Sequence, residues 1–153
     1  MRERQPGRQV EVRELGQEET ELAHAAMVEL GREVGDAATF TERVNRDLRP
    51  EGYRLVAALE PGEAEAVAAA GFRVINDLVH GRQLFVDDLA TLPGFRRRGY
   101  AGALMDWMKV EARRQGCRFI SLDSGVQRHD AHRFYLNQGM TISSHHFRLD
   151  LAD

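Results

Sequence analysis

The sequence predicts an α/β fold built around one mixed sheet. Three observations carry this prediction. Strand-like and helix-like runs alternate along the chain, in the order strand, two helices, three strands, helix, strand, helix, strand. Residues 118–124 form a near-continuous apolar run, typical of a central parallel strand buried on both faces. A turn of small and basic residues at 96–101 joins a strand directly to a helix.

The first half of the chain is expected to supply two helices and four strands. The helices cover residues 18–30, with Gly31 as the stop, and a segment that begins at the capping-box pair Thr39 and Glu42 and is closed by Pro50. The strands cover residues 10–15, 53–59, 65–79 and 83–92, and the last three form an antiparallel set. Gly71 marks a bulge or a close approach in its strand.

The second half supplies the remaining elements. A helix over residues 100–115 ends at Gly116, and the apolar strand 118–124 follows. A short helix over 130–137 has Asp130 as its N-cap, and residues 140–151 form a last strand. We find no linker or repeat, so residues 1–153 are predicted to be a single domain, with residues 1–8 disordered.

Composition excludes several classes of protein. A net charge of −3 gives no case for a nucleic-acid or anionic-membrane partner, and no apolar run is long enough to span a bilayer. The N-terminal residues lack an apolar secretory core, and the single cysteine, Cys117, fits a reducing compartment. We therefore expect a cytoplasmic protein.

The turn at 96–101 is the strongest functional signal. The start of a helix presents unpaired backbone N–H groups and a partial positive charge, and three arginines lie beside it. Such a turn is an anion site, most plausibly for phosphate. The Walker motif G-x-x-x-x-G-K-[ST] and the dinucleotide motif G-x-G-x-x-G are both absent.

Two segments resemble the GNAT N-acetyltransferase superfamily. Residues 96–101 read R-x-x-G-x-A, similar to that family's pyrophosphate loop, and residues 131–140 resemble its A-x-x-F-Y-x-x-x-G-F signature, with Met140 in the final position. The motifs cover residues 84–149, and the order of elements covers the whole chain. The resemblance implies a mixed central sheet of about six to seven strands, splayed in the middle and flanked by four helices.

The resemblance also implies acetyl-CoA as co-substrate, held between the splayed strands 84–92 and 118–124. The pantetheine arm would follow the backbone of one strand, and the pyrophosphate would bind chiefly to backbone groups of the turn. The implied cofactor-binding residues are Leu89, Ala90, Thr91, Arg96, Arg97, Arg98, Gly99, Tyr100, Ala101, Gly102, Ala131 and Tyr135.

Acetyl transfer to an amine needs a general acid and a route for the amine proton. Tyr135 matches the family tyrosine that protonates the departing thiolate, and a phenol is protonated at neutral pH. For the base, Asp87, Asp88, Asp123 and an ordered water stay open. Because adjacent strand residues face opposite ways, at most one of Asp87 and Asp88 should face a given wall of the cleft.

The histidines near the C-terminus do not predict a metal site. His129 and His132 are three residues apart, whereas His145 and His146 would point to opposite faces of a strand, so three ligands do not converge. One of these histidines could instead line the amine pocket or relay its proton. No metal is expected.

The predicted function is acetyl transfer from acetyl-CoA to a primary amine of a small molecule, with a protein amine as the less favoured acceptor. Residues 31–39 are expected to form part of the acceptor wall. Two alternatives stay open: a non-catalytic CoA-binding sensor and an interaction domain that binds no cofactor. Because only one strand follows the Tyr135 helix, its unpaired edge predicts a homodimer.

Overall fold

The computed structural model describes residues 10–152, so the expectation of disorder for residues 1–8 lies outside it. The backbone forms two compact units, which divide between Ser121 and Leu122. None of the helices in the described range combines the length and the apolar character that a bilayer crossing needs.

A five-stranded sheet organises the first unit. Its strands lie in chain order: β1 Glu11–Leu15, β2 Arg54–Leu59, β3 Ala68–Asp77, β4 Gly81–Thr91 and β5 Phe119–Leu122. Strands β1 to β4 pair antiparallel, as the alternating patterns and short turns predicted. Strand β5 joins β4 after a helical crossover, which makes the sheet mixed.

The prediction of six to seven strands is wrong, because the described residues form five. The missing strand is 140–151: no residue from Met140 to Ala152 has strand pairing. The expectation that the 118–124 strand is buried on both faces is also wrong. Strand β5 lies at one end of the strand order, and its four residues are exposed or half-buried.

Helical segments fill the connections. Helix α1, His24–Met27, continues 3₁₀ turns on both sides, from Gln17 to Leu30, and α2, Ala37–Arg43, passes into a π turn, Val44–Leu48. Helix α3 spans Tyr100–Arg114 and α4 spans His129–Asn137. These four helices match the predicted number.

Two predicted caps differ from the structure. Helix α2 begins earlier than expected, since the Asp36 carboxylate accepts a hydrogen bond from the Thr39 backbone N–H at 2.8 Å. Asp36 is therefore the cap, and Thr39 lies in the first turn. Asp130 also lies within the first turn, of α4, where its charge suits the helix dipole, and Arg128 occupies the cap position.

The core of this unit lies on both faces of the sheet. Helix α3 packs over β2, β3 and β4, and Phe72 meets Trp107 with ring centroids 5.8 Å apart. On the opposite face, α1 and α2 pack against the sheet around Met27 and Phe40. Small side chains line the middle of the sheet, among them Ala57, Ala58, Ala68, Ala69 and Ala70, all fully buried. They allow the helical layers to approach the strands closely, which fixes where β4 and the start of α3 lie.

Candidate active site

The turn that leads into α3 has the backbone of an anion site. Gly99, the cap residue, has φ of 86° and ψ of 8°, and Arg97 has φ of 62°, so two of three consecutive positions are left-handed. No side chain accepts a hydrogen bond at this cap. The N–H groups of the first turn, at Ala101 and Gly102, are therefore left for a ligand, and the dipole of a 15-residue helix favours an anion.

The arginines of the turn surround this site without filling it. All three are exposed. The Arg98 guanidinium lies 5.2 Å from the centroid of the Phe95 ring, and Arg96 reaches Glu29 at 3.5 Å. Phe95 in turn packs against the buried ring of Tyr100, with centroids 6.0 Å apart. The backbone therefore defines the site, and the arginines supply positive charge around it.

The end of β4 leads into this turn. The Leu92 N–H donates to the Val67 carbonyl at 2.9 Å, which fixes the point where the strand ends. At the other end of β4, the Arg118 N–H donates to the Arg82 carbonyl at 2.8 Å. Strand β5 has four residues and β4 has eleven, so the segment Leu89 to Thr91 extends well beyond the point where the two strands come together.

A β-bulge in β4 changes the expected positions of Asp87 and Asp88. Gly71 pairs with Asp88, whereas the next residue, Phe72, pairs with Val86, so Asp87 is an extra residue in the strand. The expectation that adjacent residues face opposite ways fails at such a bulge. Asp87 contacts Arg73, and Asp88 contacts Tyr53, which lies where a Cβ at Gly71 would be; Gly71 and Arg73 are two apart in β3, so both contacts are on one face of the sheet.

The two carboxylates have different partners on that face. Asp87 forms a two-point ion pair with Arg73, with nitrogen–oxygen distances of 2.7 and 2.9 Å. Asp88 accepts a hydrogen bond from the Tyr53 hydroxyl at 2.7 Å. Burial raises the pKa of the Asp88 carboxyl, and the Asp87 charge adds to this, while the bond from Tyr53 opposes it. The bulge thus places Asp87 in an ion pair with Arg73 and leaves Asp88 with a hydrogen bond from the neutral Tyr53 hydroxyl.

The C-terminal unit carries the other predicted catalytic groups. Tyr135 and Ala131 lie on α4 and are half-buried. Burial raises the pKa of the Tyr135 phenol, and the charge of Arg128 opposes this, so the phenol stays protonated at neutral pH. Asp123 is more exposed, and its Oδ2 lies 3.1 Å from Nδ1 of His146. Within this unit His132 is held differently, with Nε2 2.8 Å from the Gly125 carbonyl.

Among residues 10–152, no three His, Cys, Asp or Glu side chains are grouped as a metal site would require. Three residues that contact or support the two carboxylates were not among the site residues predicted from the sequence: Tyr53, Arg73 and Gly71. The glycine was noted as a close approach, which is correct, since a Cβ at Gly71 would lie 1.8 Å from the Tyr53 oxygen. No local sequence pattern indicates the contact of Tyr53 with Gly71, because 18 residues separate them in the chain.

The model of the acetyltransferase (GNAT) family matches residues 16–140 of this chain. The uncharacterized N-acetyltransferase YhdJ of Bacillus subtilis is 38% identical over 132 residues, which are 86% of this chain and 91% of that protein. The aminoalkylphosphonate N-acetyltransferase of Salmonella typhimurium is 30% identical over 143 residues, covering 93% of this chain and 90% of that one.

Solved structures show the same fold. An integron cassette protein from Vibrio cholerae superimposes with a TM-score of 0.81 at 16% identity, covering 94% of each chain. The aminoglycoside N-acetyltransferase AAC(6')-Iy in complex with CoA gives a TM-score of 0.78 at 19% identity, covering 94% of this chain and 95% of that one.

Proposed function

The chain belongs to the acetyltransferase (GNAT) family and is an acyltransferase, and we propose that it transfers an acetyl group from acetyl-CoA directly to the amine of a small molecule. The observation that carries the proposal is the turn before α3. Its left-handed Arg97 and Gly99, and the uncapped first turn of the helix, form a site suited to a pyrophosphate.

The residues present fit CoA in this position. Three exposed arginines offset the charge of the phosphates, and the small residues Gly99 and Ala101 allow the ligand to approach the backbone. Leu89, Ala90 and Thr91 lie on β4 just before the turn, where an extended pantetheine arm could bond with the strand backbone. The likeness to a structure solved with CoA supports the same placement.

In the proposed reaction, the amine nitrogen attacks the thioester carbonyl carbon. The C–N bond forms, the C–S bond breaks, and the thiolate takes a proton from the Tyr135 hydroxyl. The amine gives its proton to a base, for which Asp87, Asp88, Asp123 and an ordered water are the candidates. The raised pKa of Tyr135 keeps the proton available for the leaving thiolate.

For the acceptor, we propose a small primary amine. This is supported by the name of the Salmonella relative, which specifies aminoalkylphosphonates, and by that of the structural neighbour, which specifies aminoglycosides. The 3₁₀ turn Arg32–Val34 and the two glycines that flank it lie in the segment expected to form the acceptor wall.

The test has two stages. Isothermal titration with acetyl-CoA should give a dissociation constant in the micromolar range, and no heat at millimolar ligand would end the proposal. Release of free CoA is then followed across a panel of aminoalkylphosphonates, aminoglycosides, polyamines and lysine peptides. We expect turnover with small amines. Binding without turnover on the whole panel would instead support the sensor.

We also propose that two copies associate through residues 140–152. Phe147, Leu149 and Leu151 follow strand spacing, and each is 84–89% exposed in a single chain. A second copy offers the same segment and the same terminal strand β5, so mutual pairing would close as a symmetric dimer. Light scattering should give twice the chain mass, and L149D should give the single mass. A monomeric wild type at micromolar concentration would refute the dimer.

A further inference from the structure

A tyrosine and an aspartate from distant parts of the chain form one polar pair on the sheet. Tyr53 precedes β2, and Asp88 lies in β4, two strands away. The Tyr53 hydroxyl donates to Asp88 Oδ2 at 2.7 Å, although the tyrosine is only 5% exposed and belongs to the hydrophobic core. A buried phenol that reaches across a strand to a carboxylate fixes that carboxylate in one orientation.

Gly71 makes this reach possible. It lies in β3, between the two, pairing with Leu55 of β2 and with Asp88 of β4. A Cβ placed at Gly71 would lie 1.8 Å from the tyrosine oxygen and within 2.5 Å of two ring carbons. The hydroxyl end of the Tyr53 ring therefore occupies the space of a side chain at position 71, and any side chain there would displace it.

The bulge separates the roles of the two neighbouring carboxylates. Arg73 holds both oxygens of Asp87, so that carboxylate is neutralised by a partner at hydrogen-bond distance. Within the described residues Asp88 accepts a hydrogen bond on Oδ2 alone, which leaves Oδ1 able to receive a proton. Asp123, the remaining candidate, is largely exposed and paired with His146.

Taking the proposed acetyl transfer as given, we infer that Asp88 is the carboxylate that accepts the amine proton and that Tyr53, lying on Gly71, is its positioning residue. Asp88 directly precedes Leu89, where the pantetheine arm is proposed to begin its path along β4. Oδ1 of Asp88 takes the proton as the C–N bond forms, and the thiolate released by C–S cleavage takes its proton from Tyr135. Tyr53 keeps its own proton throughout.

The electrostatic surroundings agree with these roles. The charged groups that act on Asp88 are Asp87 beside it, Arg73 on β3 and Arg43 on α2. Burial and the Asp88 charge raise the pKa of Tyr53 well above its ordinary value, so it serves as a donor only. Burial raises the pKa of Asp88, and a carboxylate with a higher pKa is a stronger base.

The decisive experiment compares carboxamide variants in the full-length protein. D88N should lower kcat by about 10²-fold or more, whereas D87N and D123N should lower it far less. The matched control is D47N, which removes an exposed carboxylate paired with Arg46 and should keep the wild-type kcat. If D88N stays within about threefold of that control, the assignment is wrong.

Tyr53 is tested by a readout that a purely structural role would not move. Y53F keeps the ring but removes the bond that lowers the pKa of Asp88, so the acidic limb of the kcat profile should shift upward by about one pH unit. Carbon-13 NMR titration of the Asp88 carboxyl should shift in the same direction. An unchanged limb together with an unchanged titration would overturn the positioning role.

Gly71 is tested by adding a methyl group. G71A should displace the Tyr53 ring and reproduce the Y53F shift, and the Y53F/G71A double variant should show no further shift. G16A is the control, because the methyl group there would meet only the flexible end of Glu18, at 3.3 Å.

A wild type that is inactive on every amine would refute the proposed function and this inference together. An active wild type with an active D88N refutes the inference alone.

Discussion

The two compact units differ in how far their apolar side chains are buried. In the sheet unit, strands and helices bury apolar side chains on both faces of the sheet, among them Leu55, Phe72 and Leu104. In the C-terminal unit, no residue from Leu122 to Ala152 is buried, and Phe147 is 89% exposed. Both regions contain the alternation typical of strands. The pattern became a strand only where another strand was available to pair with it, because a lone strand cannot satisfy its backbone groups.

Because no residue from Leu122 to Ala152 is buried, Y135F should lower the activity without unfolding the protein. Removing the hydroxyl should lower kcat by about 10²- to 10⁴-fold, because the thiolate loses its proton donor. The dissociation constant for acetyl-CoA and the melting temperature should be unchanged. The control is L136A, one residue on and half exposed, which should turn over normally. Equal loss in both variants would show damage to α4 instead.

A matched pair of leucines, one in each unit, tests this difference in packing. Leu104 is fully buried and Leu149 is 84% exposed. L104A should lower the free energy of unfolding by about 2 to 5 kcal/mol, whereas L149A should change it by less than about 0.5 kcal/mol at nanomolar protein. Urea denaturation measures both. The cost of L149A should grow at high protein concentration if the dimer forms. A large cost at every concentration would show that Leu149 packs within its own chain.

The sheet unit also holds a buried ionic network, which predicts a pH dependence. Glu111 accepts hydrogen bonds from Arg114, Gln115 and Arg54, and these lower its pKa from 4.5 to about 2, the bond from Arg114 contributing most. Because the folded-state pKa is lowered, the stabilisation is present above pH 4.5 and is lost as the pH falls toward 2.

E111Q should therefore lower the free energy of unfolding at pH 7 by about 1 to 3 kcal/mol and flatten its dependence on pH in the acid range. Urea denaturation between pH 2 and 7 measures both effects. The control is E42Q, which breaks an exposed pair with Arg46 and should cost less than about 0.5 kcal/mol. Parallel pH curves for E111Q and wild type would contradict the network.

The smallest expected effect concerns the anion site. G99A places a Cβ at φ of 86°, which costs about 1 to 2 kcal/mol and should weaken acetyl-CoA binding about tenfold if the turn relaxes to avoid it. Calorimetry measures the affinity. In the same turn, G94A adds a methyl group in open space and should bind normally. Equal affinities for G99A and wild type would show that the ligand does not depend on the left-handed cap.

The sequence predictions were accurate where the structure depends on neighbouring residues and less accurate where it depends on distant ones. Strands β1 to β4 and helix α3 were predicted to within a few residues, because alternation and helical spacing are local signals. The caps were less accurate: Asp36 and Thr39 are both good capping residues, and only the path of the preceding turn chose between them. Strand β5 was placed correctly along the chain, but its apolar run did not reveal that it is half exposed.

In the candidate site, too, local features could be predicted from the sequence and long-range contacts could not. The turn before α3 could be found from the sequence, since Arg97, Gly99 and the start of the helix are close together in the chain. The bulge could not, because it depends on pairing with a partner strand, and it moved Asp87 and Asp88 to the same face. Tyr53 was missed because its contact with Asp88 joins residues 35 positions apart.

The sequence by itself determined the family, and it predicted the anion site before α3 and Tyr135 on α4 as the acid, because each depends on a short segment. The tertiary structure alone decided that Asp87 pairs with Arg73, that Asp88 pairs with Tyr53, and that residues 140–152 do not pair as a strand. These contacts join residues that are distant in the chain and that meet only when the sheet forms. The extra residue in β4 sets the direction of Asp87 and Asp88, and the absence of a side chain at Gly71 makes room for Tyr53.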